Sequence, residues 1–209
     1  MTVADVSQFR AWIADTSAML TEQAEHLTDL DRAIGDGDHG TNMARGFAAC
    51  AALPDADGEG IDAYLKKVGM TLVSQVGGAS GPLYGTFFLR FAAPLAGATS
   101  VGPTEVAQAL RAGVDGVVAR GKAEVGDKTM YDALAPAVRA FDGAASGGAD
   151  LAGCLEAAAV AAAGGRDSTE PLVARKGRAS YLGERSAGHL DPGATSATML
   201  LESAARSLG

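Results

Sequence analysis

Residues 6–35, VSQFRAWIADTSAMLTEQAEHLTDLDRAIG, carry apolar side chains three, four and seven positions apart. This is the spacing of one face of an α-helix, and acidic residues fall on the other face. The pattern predicts one long helix that ends at Gly35, where a glycine is a typical helix stop. The apolar positions are Val6, Phe9, Ile13, Leu20, Leu27, Leu30 and Ile34.

The same helical period continues along the chain and predicts seven further helices. We expect Ser80 and Thr104 to cap two of them, and Pro136 to kink or interrupt another. No segment alternates between apolar and polar residues, so the fold class is all-α with about eight helices. The expected ranges are 42–53, 61–76, 80–95, 104–118, 130–141, 155–163 and 191–208.

Composition limits the classes of function. The 209 residues are 47% apolar, which is enough for one core, and we expect a single domain over residues 1–209. A formal net charge of -8 disfavours nucleic acid and anionic membranes as partners. Cys50 and Cys154 form no CxxC motif, and the first ten residues lack the apolar run of a signal peptide. The isolated cysteines fit a reducing cytoplasm, which is the expected location. No stretch is expected to span a bilayer.

An acidic, glycine-rich loop follows the first predicted helix. Within LDRAIGDGDHGTN, residues 30–42, three carboxylates crowd together at Asp31, Asp36 and Asp38. Two carboxylates about 4 Å apart repel by about 4 kcal/mol at an effective dielectric of 20, so a compact arrangement needs a cation. The glycines between them let the backbone wrap round a common point. Oxygen ligands favour Mg²⁺, Ca²⁺ or Mn²⁺ over Zn²⁺.

Other interpretations of this acidic loop were compared. A solvated acidic turn is the common meaning of an isolated Asp/Gly loop. An EF-hand starting at Asp36 would place Thr41 and Phe47 where a glycine and a glutamate are required. The glycines also match G-x-G-x-x-G, but a helix precedes them where a dinucleotide fold needs a strand. Residues 116–122 nearly match a phosphate-binding P-loop, yet Ala123 replaces the metal-binding Ser or Thr.

Two further glycine-containing loops open predicted helices. Residues 77–82, GGASGP, would offer free N–H groups to phosphate oxygens, or would form an ordinary capped turn. Residues 126–132, GDKTMYD, contain Asp127 and Thr129, which helix capping alone explains. Met130 would lie in the core or face an adenine ring.

A basic patch and one more glycine turn lie nearer the C-terminus. Arg178, in KGRAS at residues 176–180, could hold a phosphate through two hydrogen bonds or lie on a solvated surface loop. Residues 188–193, GHLDPG, form a second glycine-rich turn before a helix. These alternatives stay open at the level of single motifs.

Taken in order, four blocks resemble the family of dihydroxyacetone kinase L subunits. The blocks are LTDLDRAIGDGDHGTNM at 27–43, GGASGPLYGT at 77–86, GDKTM at 126–130 and ARKGRASYLGERSAGHLDPG at 174–193. The resemblance extends over nearly the whole chain, without a departure at a motif position. The four blocks together favour this family over the ordinary structural interpretation of each motif alone as a turn, a helix cap or a surface loop.

The resemblance implies an up-and-down barrel of about eight antiparallel helices, with the nucleotide site in loops at one end. It implies two Mg²⁺ ions held by Asp31, Asp36 and Asp38, bound ADP or ATP, and a catalytic role for Arg178. The residues that it implies for nucleotide contacts are His39, Thr41, Asn42, Ala79, Ser80, Gly121, Met130, Arg178, Asp191 and Gly193.

The implied reaction, in glycerol metabolism, moves a phosphoryl group to a short ketose held covalently on a separate K subunit. The family leaves two phosphoryl donors open: exchangeable ATP, or a phosphotransferase-system M subunit that recharges bound ADP. It also leaves the ketose open between dihydroxyacetone and a sugar such as erythrulose. Rival functions are a non-catalytic nucleotide sensor that docks on a regulator and a calcium-stabilised helical bundle.

Overall fold

The computed structural model describes residues 3–56 and 58–209. Residues 1, 2 and 57, which belong to the expected domain 1–209, lie outside the described residues. The described part contains nine α-helices: α1 Val6–Glu22, α2 Ala24–Ile34, α3 His39–Ala51, α4 Ile61–Gln75, α5 Ser80–Ala92, α6 Pro103–Gly121, α7 Met130–Ser146, α8 Leu151–Asp167 and α9 Pro192–Leu208.

Short elements complete the described structure. Two 3₁₀ helices cover Ala93–Leu95 and Arg178–Ser186, and the second is called the basic 3₁₀ segment below. Two-residue strands, β1 Ala4–Asp5 and β2 Ser100–Val101, pair antiparallel. They hold the start of α1 against the connection before α6. In the described residues, no helix is both long and apolar enough to cross a membrane.

Eight of the helices close into a ring. From α3 to α9 each helix packs against the next one in sequence, and α1 closes the ring by packing against both α3 and α9. Neighbours joined by short connections must run in opposite directions, which confirms the expected up-and-down barrel. The remaining helix, α2, lies against α3, α9 and the basic 3₁₀ segment. It therefore sits at the end of the ring where α3 begins.

Aromatic side chains fill the centre of the ring. Trp12 lies 5.5 Å from Phe88 and 5.8 Å from Phe91 between ring centroids. Phe87 meets Phe88 edge to face at 5.3 Å. The Trp12 indole nitrogen donates a 2.8 Å hydrogen bond to the Leu200 carbonyl, so the residue that fills the core also ties α1 to α9.

The prediction of one helix over residues 6–34 was wrong at one point. The chain breaks at Gln23, whose backbone is not helical, and α2 begins at Ala24. The apolar spacing continues across the break, and neither Gly nor Pro marks it. Next to the break, Gly40 of α3 packs so closely on α2 that a side chain at Gly40 would overlap the Ala24 carbonyl.

Three local predictions also differ from the structure. Ser80 is the first residue of α5 and Ala79 takes the cap position. Thr104 is not the cap of α6, because Pro103 starts the helix and the Glu105 side chain accepts the Gly102 N–H. Of the two alternatives predicted at Pro136, a kink or an interruption, the interruption is wrong, since α7 runs from Met130 to Ser146 through this residue. Tertiary packing of α7 outweighs the loss of one intrahelical hydrogen bond.

Helices α7 and α8 approach each other closely at Gly165. A methyl group there would overlap the Asp132 carbonyl oxygen and lie 2.8 Å from Pro136 Cγ. The neighbouring Gly164 is exposed and has nothing within 4 Å of the same position. Substituting these two adjacent glycines by Ala therefore distinguishes two effects: loss of close packing at Gly165 and gain of helix propensity at Gly164.

We expect Gly165→Ala to lower the free energy of unfolding by about 2 kcal/mol, because the clash with backbone outweighs the gain in helix propensity. Gly164→Ala, the matched control, should raise it by up to about 1 kcal/mol. Urea unfolding followed by circular dichroism measures both. Equal effects of the two substitutions would show that α7 and α8 do not meet in this way.

Candidate functional site

A cleft of about 190 Å³ opens at one end of the barrel. Alternate helices of an up-and-down ring run the same way, so α3, α5, α7 and α9 all begin at this end. The lining residues come from these helix starts and the residues just before them, from the end of α2 with the acidic loop, and from the basic 3₁₀ segment with the two residues before it: Asp31, Ile34, Gly35, Asp36, Asp38, His39, Gly77, Gly78, Ala79, Ser80, Leu83, Tyr84, Lys128, Thr129, Met130, Lys176, Gly177, Arg178, Ala179, Asp191, Pro192 and Gly193.

Three carboxylates converge on one wall of the cleft. Asp31, Asp36 and Asp38 each offer an oxygen, and these three atoms lie within 4.8 Å of one another. Asp31 is buried, while the other two are exposed to the cleft. Gly35 is required between them because a side chain there would overlap Asp31 Oδ1. A group of three hard oxygen donors at this spacing fits Mg²⁺ or Ca²⁺.

Asp31 also fixes the backbone of the acidic loop. Its Oδ2 accepts hydrogen bonds from the backbone N–H groups of Asp38 at 2.9 Å and His39 at 3.1 Å. The last residues of α2 and the first of α3 are thereby joined through one carboxylate. This oxygen caps α3, whose own cap residue makes no side-chain hydrogen bond to the helix.

Arg178 closes the cleft on the acidic side. Its Nη2 lies 3.0 Å from Asp36 Oδ2, and its side chain is 69% exposed. An apolar contact among Ile34, Ala174 and Ala179 anchors the basic 3₁₀ segment to the end of α2. Because both partners are largely solvated, the ion pair itself adds little stability, and Arg178 is free to meet an incoming anion.

The helix starts at the cleft are capped differently. The Thr129 hydroxyl caps α7, and the Asp191 carboxylate caps α9 by accepting the Ala194 N–H at 2.6 Å. In the part of the chain that the structure describes, α5 has no side-chain cap, and Gly77 and Gly78 precede it. The first N–H groups of α5 are therefore available to an anion, which the partial positive charge of a helix start attracts.

His39 lies buried at the floor of the cleft. Its Nδ1 is 3.2 Å from the Ser80 hydroxyl and its Nε2 is 2.9 Å from the Ser196 hydroxyl. Burial lowers the pKa of the His39 ring, although the carboxylates of Asp31 and Asp38 act in the opposite direction. Both ring nitrogens of His39 are thus engaged by protein groups.

A buried lysine, Lys128, holds the opposite wall. Its ammonium group donates hydrogen bonds to the carbonyls of Thr169 at 2.7 Å, Glu170 at 3.4 Å and His189. The residue itself adopts a positive φ of 63°. Nothing in the sequence marks Lys128, because its partners lie 41 to 61 residues away and follow no local pattern.

The Asp191 carboxyl is buried beside this lysine. Its pKa is raised to about 7, mainly by burial; Asp132 and Asp31 also raise the pKa, whereas the Ala194 N–H and Lys128 lower it. Thr169 accepts the backbone N–H of Asp191, which fixes the start of α9.

Most of the sequence-predicted residues meet in the cleft, and three do not line it. Thr41 is exposed and its hydroxyl donates to the Asp38 carbonyl. Asn42 lies behind the cleft, against Gly77. Gly121 ends α6 beside Leu83, which is a lining residue. The predicted residues that do line the cleft are Asp31, Asp36, Asp38, His39, Ala79, Ser80, Met130, Arg178, Asp191 and Gly193.

The fold and the cleft together define a helical-barrel domain in which three clustered carboxylates lie beside an uncapped helix start. The model of the DAK2 domain family matches residues 33–206. The chain therefore belongs to the DAK2 domain family, which confirms the resemblance in the sequence.

Named relatives make the comparison more specific. The ADP-binding subunit DhaL of the PEP-dependent dihydroxyacetone kinase of Escherichia coli K12 is 47% identical, over 94% of each chain. The corresponding subunit of the PTS-dependent kinase of Lactococcus lactis is 41% identical, over 91% of this chain and 92% of that one. Human triokinase/FMN cyclase is 37% identical over 85% of this chain. The matched region is 31% of the length of that human protein.

A solved structure shares the fold. The crystal structure of the dihydroxyacetone kinase from C. freundii in complex with AMP-PNP and Mg²⁺ superposes with a TM-score of 0.73 at 28% identity. The match covers 99% of this chain and 35% of the kinase chain, so this chain spans about a third of that protein.

The raised pKa of Asp191 predicts a dependence of stability on pH. In the unfolded chain the carboxyl ionises near 3.8, but in the folded protein it does so near 7. The folded form holds the extra proton, so this contribution is fully present below pH 3.8 and is lost as pH rises through 7. Between pH 4.5 and 7.5 the loss would be about 3 kcal/mol.

We expect Asp191→Asn, which keeps an oxygen for the Ala194 N–H, to remove this part of the pH dependence. Denaturant unfolding at pH 4.5, 6 and 7.5 compares the variant with the unsubstituted protein. The matched control is Asp150→Asn, which changes the exposed cap of α8. A pH profile that is the same with and without Asp191 would contradict the assignment.

Proposed function

We propose that this chain is the nucleotide- and Mg²⁺-binding subunit of a dihydroxyacetone kinase. It would transfer a phosphoryl group from bound nucleotide to the primary hydroxyl of a short ketose held on a separate K subunit. The observation that carries the proposal is the meeting of the three carboxylates with the uncapped start of α5 in one cleft. The printed names of the 47% and 41% identical relatives support the same reaction.

Asp31, Asp36 and Asp38 would hold two Mg²⁺ ions, and their spacing fits hard-cation ligands. Bound Mg²⁺ would neutralise phosphate charge that the aspartates would otherwise repel. The chain itself supplies the geometry: Asp31 fixes the loop through two backbone hydrogen bonds, and the other two carboxylates face the cleft.

The nucleotide would lie between the start of α5 and the start of α9. Free N–H groups at the beginning of α5 suit phosphate oxygens, and Leu83 and Met130 offer apolar surface to a base. The full set of proposed contacts is His39, Thr41, Asn42, Ala79, Ser80, Gly121, Met130, Arg178, Asp191 and Gly193. Three of these residues do not line the cleft and would have to act from its edge or through backbone atoms: Thr41, Asn42 and Gly121.

Arg178 would be the catalytic residue. Its guanidinium is exposed at the edge of the cleft, where it pairs with Asp36 at 3.0 Å. When phosphate and cation are bound, it would stabilise charge that develops on the transferring group, a contribution made mainly in the transition state. In phosphoryl transfer the attacking and leaving oxygens are nearly in line, so the acceptor must enter from the side opposite the leaving nucleotide.

The acceptor would come from a partner protein. Among the side chains that line the cleft, His39 and Lys128 are already hydrogen-bonded to protein groups and are not free to hold a ketone covalently. A K-type subunit would supply that site. The PEP- and PTS-dependent relatives favour ADP as a retained cofactor, recharged by an M-type phosphoprotein of the phosphotransferase system.

We expect Asp36→Asn and Asp38→Asn to weaken Mg²⁺-dependent ADP binding at least about tenfold, because each removes a charged ligand. Isothermal titration with and without Mg²⁺ measures the effect. Asp29→Asn is the matched control, since Asp29 is an exposed carboxylate on α2 that pairs with Arg32. Unchanged affinity in both cleft variants would remove these residues from the metal site.

Activity tests the two-subunit proposal. We expect the purified chain alone to phosphorylate no dihydroxyacetone, and a K-type subunit with a phosphoryl donor to restore turnover. A nucleotide sensor would bind ADP yet transfer nothing in the complete mixture. Robust turnover by the chain alone would equally overturn the proposal.

Arg178→Ala should lower kcat in this complete mixture about a hundredfold while changing ADP affinity little, because the guanidinium acts on transition-state charge. Arg185→Ala, on the same segment but outside the cleft, should keep full turnover. Full activity of the Arg178 variant would leave the residue without a catalytic role.

A further inference from the structure

A chain of side-chain hydrogen bonds connects the barrel core to the start of α5. The Tyr84 hydroxyl lies 2.7 Å from the Ser196 hydroxyl, which lies 2.9 Å from His39 Nε2. On the other side of the imidazole ring, His39 Nδ1 lies 3.2 Å from the Ser80 hydroxyl. Tyr84 and Ser196 are 1% and 0% exposed, so no solvent can replace these partners.

The hydrogen positions are assigned starting from the Gly193 carbonyl. The Ser196 hydroxyl lies 3.1 Å from this carbonyl, which can only accept, and we assign the single Ser196 hydrogen to this contact. On this assignment Ser196 accepts from Tyr84 at 2.7 Å and from His39 Nε2 at 2.9 Å. The His39 ring also bonds to the backbone of Pro192, one turn from Ser196 on α9. Because proline has no N–H, that partner also requires a hydrogen on the ring.

The position of the hydrogen on His39 determines how the Ser80 hydroxyl is oriented. With hydrogen on Nε2, the His39 Nδ1 atom presents a lone pair, and the Ser80 hydroxyl must donate to it. The Ser80 hydrogen therefore points into the protein, and its oxygen lone pairs face the cleft. A phosphate oxygen would be repelled by those lone pairs, whereas a cation, its bound water or a hydrogen-bond donor would be accepted.

We propose that Ser196 is a positioning residue: it fixes the Nε2–H tautomer of His39 and so makes Ser80 an acceptor towards the cleft. The nucleotide as ligand rests on the proposed function. On this arrangement the α5 backbone N–H groups take the anionic oxygens, and Ser80 Oγ takes the cation's hydration shell or a donor of the ligand. Phosphate and cation are thus assigned to different atoms of one helix start.

The tautomer can be measured in the ligand-free protein by ¹⁵N NMR of histidine rings. The chain has three histidines, so His39→Gln identifies the His39 signals by their loss. We expect one ring nitrogen with directly bound hydrogen, Nε2, and one without, Nδ1. Hydrogen on Nδ1 alone, or on both nitrogens, would overturn the proposal. Because no nucleotide is present, this result does not depend on kinase activity.

Substitutions test the role of Ser196. We expect Ser196→Ala to shift the His39 ring-nitrogen signals towards a mixture of tautomers and to weaken Mg²⁺-ADP binding about three- to tenfold. Ser203→Ala is the matched control: it removes a fully buried hydroxyl from the same helix, one that bonds the Trp12 carbonyl away from the cleft. The control should change neither measurement.

A second variant keeps the proposal testable if Ser196→Ala does not fold. Tyr84→Phe keeps the aromatic ring against Phe47 and removes one donor to Ser196. We expect a smaller shift of the Nε2 signal and a smaller loss of affinity, in the same direction. Unshifted His39 signals in whichever of the two variants folds would overturn the proposal. Absence of Mg²⁺-ADP binding by the unsubstituted protein would instead count against the proposed function.

Discussion

The Asp31 carboxylate ties the end of α2 to the start of α3 by accepting two backbone N–H groups. That contact determines where the acidic loop turns, because the loop between the two helices is only four residues long. It brings Asp36 and Asp38 within 4.8 Å of Asp31, and it places His39 at the floor of the cleft. A buried carboxylate needs such partners, since burying it without hydrogen bonds would be strongly unfavourable.

The charged groups around the cleft lie in two environments, one at the surface and one in the interior. On the surface, the acidic loop faces Arg178, and both partners remain solvated enough to exchange partners when a ligand arrives. In the interior, Lys128 and Asp191 lie in low-dielectric surroundings, which lower the pKa of the lysine and raise that of the acid. Their hydrogen bonds to backbone hold the turn before α9.

Helical periodicity located most of the barrel from sequence, and motif blocks located the acidic loop and the family. Two of the errors lie where a neighbouring helix packs closely. Gly40 of α3 meets α2 next to the break at Gln23, and Gly165 of α8 meets α7 at Pro136. The bonus or penalty of a single residue in an isolated helix is about 1 to 3 kcal/mol, and packing of a whole helix face exceeds it.

The sequence by itself determined the all-α class, the family and the three aspartates, because these depend on local spacing and on contiguous motifs. The tertiary structure alone decided how the cleft is held together. Lys128 meets carbonyls 41 to 61 residues away, and Ser196 meets Tyr84 and His39 across 112 and 157 residues. No pattern within a short window encodes such pairings; they arise because ring closure brings α3, α5, α7 and α9 to the same end of the barrel.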